Sequence, residues 1–140
     1  MSNGDDAQAD ANASRYDEGR RIRRHMLGDD YVERADATQN DWNRDLLRLV
    51  GDACWGGVWA RPGLGLRERS LITVAMLAVM NRPSELRLHL RAAVRNGCTI
   101  DELKETLLQT MPYAGVPATV DAFRLGAEVL ADDIAAASGS

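Results

Sequence analysis

Cysteine, excess basic charge and long apolar runs are all scarce in this chain, and each shortage excludes something. Its two cysteines, Cys54 and Cys98, lie far apart, with no C-x-x-C and no His–Cys spacing around them. Neither a disulfide framework nor a thiolate metal site is expected. Arginine and lysine number 17 against 21 acidic residues, a net charge of −4, which argues against a general nucleic-acid binder. The longest apolar run, LITVAMLAVM from Leu71 to Met80, is ten residues long and contains Thr73. That is about half a membrane span, so it reads as a core helix and no membrane partner is expected. The opening MSNGDDAQADANAS is polar and acidic, unlike a secretory signal, so the protein is expected in the cytoplasm. No alternating strand pattern and no internal repeat is present.

What remains is an ordinary soluble balance, 140 residues with 45% hydrophobic, enough for one domain with a real core. Residues 1–14 read as a disordered acidic tail, 15–135 as a single all-α domain and 136–140 as a C-terminal tail. A first helix is predicted from about Tyr16 to Leu27, stopped by Gly28. Within it RRIRR (Arg20, Arg21, Arg23, Arg24) reads as the solvated face around Ile22, with phosphate or partner contact as the lesser reading. After a polar connection, Trp42, Leu46, Leu49 and Ala53 form an apolar stripe at helical spacing that ends at Gly56-Gly57. A third helix, 66–80, is apolar nearly all round and is expected at the centre of the core. NRPS then separates it from a fourth, which Gly97 ends. TIDE is a capping box, with Thr99 as N-cap and Glu102 at N3, opening a fifth helix with Leu103, Leu107 and Met111 on one face. Pro112 is expected to end or kink that helix. A last one is predicted to bury Phe123, Ala127, Leu130 and Ile134.

The residues with chemical potential sit in and around the fourth helix, SELRLHLRAAVRNG. At 100° per residue, Arg87, Arg91 and Arg95 fall at about 200°, 240° and 280° from Glu85 and form the solvated stripe. Glu85 and His89, at about 0° and 40°, fall near the middle of the apolar arc. An inward carboxylate and imidazole cost free energy unless paired or employed. Their i, i+4 spacing lets Glu85 orient the ring and raise its pKa. A buried ion pair fixing the helix and an acid/base pair lining a pocket both fit. No third ligand completes a metal site. Upstream, ARPGLGLRERS places Arg61, Arg67 and Arg69 at a loop-to-helix junction, where guanidinium groups suit carboxylates. Arg67 reads as a surface residue, and Arg69 as the better placed. Trp55 and Trp59 flank Gly56-Gly57 as a pocket wall or an oligomer interface. Tyr113 offers a hydroxyl in PYAGVP.

Taken in order, RRIRRHMLGDDYVERA, WGGVWARPGLGLRERSLITVAML, ELRLHLRAAVRNG and DELKETLLQTMPYAGVPATVDAF resemble the carboxymuconolactone decarboxylase family over roughly Arg15 to Leu130. The resemblance implies an alkylhydroperoxidase D-like bundle of about six helices, assembled as homotrimers or homohexamers. It also implies decarboxylation of 4-carboxymuconolactone to the enol-lactone of β-ketoadipate, with no cofactor and no metal. Arg61 and Arg69 would then hold substrate carboxylates beside Trp55, Trp59, Tyr31 and Tyr113. His89, oriented by Glu85, would donate a proton or stabilise the oxyanion. Two positions depart from the family pattern, Gly57 where relatives usually carry Glu and Tyr31 where they usually carry His. Either Glu85 or Glu68 stands in for the missing carboxylate, or the substrate is a different small acid or lactone. A non-catalytic ligand-binding homologue is the remaining alternative, which the Glu85–His89 pair speaks against. The thiol pair of the alkylhydroperoxidase D proteins would fall on Arg82 and Glu85, which excludes their disulfide chemistry.

Overall fold

A computed structural model describes residues 3–139, with side chains from Gln8 onward. Regular structure among these residues is entirely helical: eight α-helices and one π-helical segment. They gather into two compact units, one ending at Leu64 and the other beginning at Gly65, where the sequence reading expects one domain over 15–135. The expected tails include Met1, Ser2 and Ser140, which lie outside the described residues.

In the N-terminal unit, α1 (Asn3–Leu27) starts well before the expected Tyr16. Residues 3–14, read as a disordered tail, instead continue the helix. The reason is local, since AQADANA is rich in alanine, the strongest helix former, while residues 8–14 are exposed. Gly28, at φ 87°, then reverses the chain, a conformation that a Cβ would strain. The expected polar connection forms a helix of its own, α2 (Asp29–Ala37). Arg23–Asp36 and Arg24–Asp29, each 2.8 Å, tie α2 to α1, over buried Ile22, Met26 and Val32.

The short α3 (Arg44–Leu49) runs straight into the π-helical segment Val50–Trp59. The expected stop at Gly56-Gly57 does not occur. The helix widens instead and passes through both glycines, as the Ala60 N–H to Trp55 carbonyl bond of 3.1 Å shows. The expected buried stripe is also corrected, because Trp42 is 94% exposed and Leu46 and Leu49 are each 63% exposed. Helix α1 closes on the glycine face of the π segment rather than on that stripe, so Trp55, Gly56 and Trp59 are buried.

The C-terminal unit holds α4 (Leu66–Val79), α5 (Pro83–Arg95), α6 (Ile100–Ala114), α7 (Val116–Val129) and α8 (Ala131–Ser138). Two Schellman endings shape it. Asn81 (φ 52°) and Gly97 (φ 86°) take the left-handed position after α4 and α5. Arg82 N–H reaches the Leu77 carbonyl, and Cys98 N–H reaches Ala93, each at 3.0 Å. Pro83, with its preset φ, starts α5. Thr99 and Glu102 form the complete capping box of α6. The core gathers Val74, Ala78, Leu86, Leu90, Ala93, Leu103 and Leu107 from α4, α5 and α6, with Ala122 and Leu130 beyond.

Several expectations are corrected here. Helix α6 continues through Pro112 to Ala114, because a proline so near the end removes only one late hydrogen bond. The predicted last helix breaks at Leu130 into α7 and α8, and α8 runs to Ser138, past the expected boundary at 135. Helix α4 is not buried all round, since Ile72, Met76, Val79 and Met80 are 46–60% exposed. Met111 and Ala127 are likewise exposed.

Candidate functional site

Helix α5 presents its candidates through register. Leu86, Leu90 and Ala93 anchor one face in the core, which leaves His89 half-buried at the edge of that face and Glu85 exposed. The inward carboxylate expected from periodicity is therefore corrected. Glu85 lies in the first turn, where it stays in water near the positive helix end.

Burial pushes the His89 pKa below the ordinary histidine value, with the Glu85 carboxylate opposing but not reversing that shift. The sequence reading has the direction of Glu85's pull right and its outcome wrong, because desolvation outweighs it. The ring is neutral at neutral pH, with one N–H to donate and one nitrogen to accept.

Arg69 sits half-buried in the first turns of α4. Neighbouring Arg67 pairs with Glu68 at 3.3 Å and with Glu102 of the capping box, bracing α4 against α6. Glu68 is committed to that helix start. A backbone hydrogen bond to its own residue, then Arg67, hold its carboxyl below the ordinary range. Tyr113, 81% exposed, borders an apolar groove of about 720 Å³ with Ile72, Met76 and Met80. Glu85, His89 and Arg69 do not line that groove.

The remaining candidates belong to the N-terminal unit. The π segment stacks Trp55 and Trp59 with ring centres 5.4 Å apart, tilted by 34°, and both are buried. Arg61 is exposed in the turn after this segment, and Tyr31 is half-buried on α2. At Gly57 a Cβ would lie 3.2 Å from the Asp52 carbonyl oxygen. Trp55 also borders a cavity of about 170 Å³ whose wall includes Tyr16, Arg20, Arg23, Arg44 and Arg48. The sequence reading missed Tyr16, Arg44 and Arg48. The i, i+4 spacing of Arg44 and Arg48 was their available signal.

The structure thus sets His89, Glu85, Arg69 and Tyr113 in one unit, and Trp55, Trp59, Arg61 and Tyr31 in the other. Burial raises the Cys54 and Cys98 thiols above their ordinary pKa, so neither is an activated nucleophile.

The described residues are thus helical throughout their regular structure, with a half-buried neutral histidine, guanidinium groups and no activated thiol. Residues 44–128 match the carboxymuconolactone decarboxylase family. The chain is 44% identical over 118 residues to a 4-carboxymuconolactone decarboxylase of Acinetobacter baylyi, covering 84% of this chain and 88% of that one. It is 37% identical over 107 residues to a nitrosuccinic acid decarboxylase of Metarhizium robertsii, covering 76% and 75%. The chain belongs to the carboxymuconolactone decarboxylase family and is a decarboxylase-like enzyme. No helix among the described residues is long and apolar enough to cross a membrane.

Proposed function

We propose that the protein decarboxylates 4-carboxymuconolactone to the enol-lactone of β-ketoadipate, in the cytoplasm, with no metal or organic cofactor. The half-buried, neutral His89 one helical turn after Glu85 carries this reading. When the C–C bond to the carboxylate breaks, carbon dioxide leaves and the electron pair moves into the conjugated lactone carbonyl. A neutral imidazole N–H stabilises the resulting dienolate oxygen. One proton is then taken up at carbon, and the exposed Glu85 connects the ring to solvent protons. Arg69 provides a guanidinium for a spectator carboxylate.

The 44% identity to a relative named for this reaction supports the substrate. The exposed apolar groove between α4 and α6 supports a homotrimer or homohexamer. The direct test is carbon dioxide release from 4-carboxymuconolactone by chelator-treated protein. His89→Ala should lower kcat by about 100-fold or more, and full activity in that variant would remove His89 from the mechanism.

A second reading keeps the chemistry and changes the acid. The relative named for nitrosuccinic acid, together with Gly57 in place of the usual Glu, favours it. Turnover of nitrosuccinic acid but not of the lactone would select it. Saturable binding of both without turnover would identify a ligand-binding homologue.

A further inference from the structure

The cavity beside Trp55 collects four guanidinium groups in a chain whose net charge is negative. Its 170 Å³ is room for about five or six waters, or for a small organic acid. The charges on its wall are unevenly answered. Asp36 holds Arg23 at 2.8 Å, and Asp41 holds Arg44 at 2.7 Å. Asp52 reaches Arg48 only at 3.8 Å. Arg20 lies over the Tyr16 ring, 5.8 Å from its centre, and has no carboxylate partner among the described residues.

Arg20, without a carboxylate, and Arg48, held only loosely by Asp52, thus line one recess together with the Tyr16 and Trp55 rings. Neighbouring cations in a recess repel each other and attract a multivalent anion. Guanidinium groups take carboxylates through paired hydrogen bonds, while aromatic flanks take a carbon skeleton.

We propose that this cavity is a binding site for a small organic anion carrying two or more carboxylates, with Arg20 and Arg48 as its main recognition groups. It stands apart from the decarboxylation reading, because neither His89 nor Glu85 takes part and binding alone is at issue.

The test is a ¹H–¹⁵N NMR titration of the full-length protein with tricarballylate, succinate, propionate and inorganic phosphate. The expected result is saturable shifts of the Arg20 and Arg48 Nε–H signals and of the Gly19 and Gly51 amides. Affinity should rise from propionate through succinate to tricarballylate and fall with added salt. Arg20→Gln and Arg48→Gln should each weaken tricarballylate binding by about tenfold. Both positions are exposed, and an unchanged Tm would show that the fold is intact. Absence of shifts at these groups would overturn the proposal. So would equal affinity in both variants, or phosphate binding as tightly as tricarballylate.

Discussion

Gly19 of α1 and Gly56 of the π segment meet backbone to backbone. A Cβ on Gly19 would lie 2.6 Å from the Gly56 amide nitrogen, and one on Gly56 would lie 2.7 Å from the Arg15 carbonyl oxygen. Neither obstacle is a side chain that could swing away. Gly19→Ala and Gly56→Ala should each cost about 1–3 kcal/mol, the usual range for overpacking. Thermal unfolding measures this, and a Tm equal to the wild type in either variant would contradict it. Gly63→Ala, with nothing near its Cβ, is the control.

His89 links stability to pH. Its folded-state pKa is depressed by burial, while the unfolded chain keeps about 6.5. In acid the unfolded state therefore binds the proton more readily. The stabilising contribution is complete above the unfolded pKa and is lost as pH falls through the folded one. The gain in Tm between pH 5 and pH 7 should shrink in His89→Gln. If the neutral ring is the working form, the acid limb of kcat/KM should also lie below about 6.5. Activity that instead falls as pH rises through the histidine range would require a protonated ring.

Gly57 is the position where side-chain chemistry is missing and yet sterically allowed. A Cβ there meets only the Asp52 carbonyl, at 3.2 Å, a gap that a small shift of the wide π turn opens. Gly57→Glu should fold with stability within about 1 kcal/mol of the wild type, since Glu is the better helix former. Its turnover of 4-carboxymuconolactone should rise. Calorimetry and steady-state kinetics check both outcomes, and unchanged kinetics in a folded variant would leave the usual Glu with no role here.

Ile72, Met76, Val79 and Met80 form an apolar face, with Met76 51% exposed. If that face joins copies of the chain, as proposed, Met76→Glu should give smaller species than the wild type in light scattering. A mass unchanged by the charge would place the interface elsewhere.

Local interactions are what the sequence states most directly. The capping box at Thr99 and Glu102 and the helix stop at Gly97 each depend on a few consecutive residues, and each was legible from them. So was the placing of Glu85 one turn before His89, which is a matter of spacing along one helix. The length of α1 was equally local, and was missed because acidic and polar residues obscured its alanines. The π segment was misread because glycines that usually end a helix here admit another one.

The amino-acid order by itself determined the helical class, the family pattern, and the placing of an imidazole one turn from a carboxylate. Only tertiary structure decided that Glu85 faces water, that burial keeps His89 neutral, and that Trp42, Leu46 and Leu49 are left uncovered. The physical reason is that periodicity says which residues share a face, while solvation depends on what packs against that face. In this chain the packing partner of α1 is a pair of glycines, which no hydrophobic pattern announces.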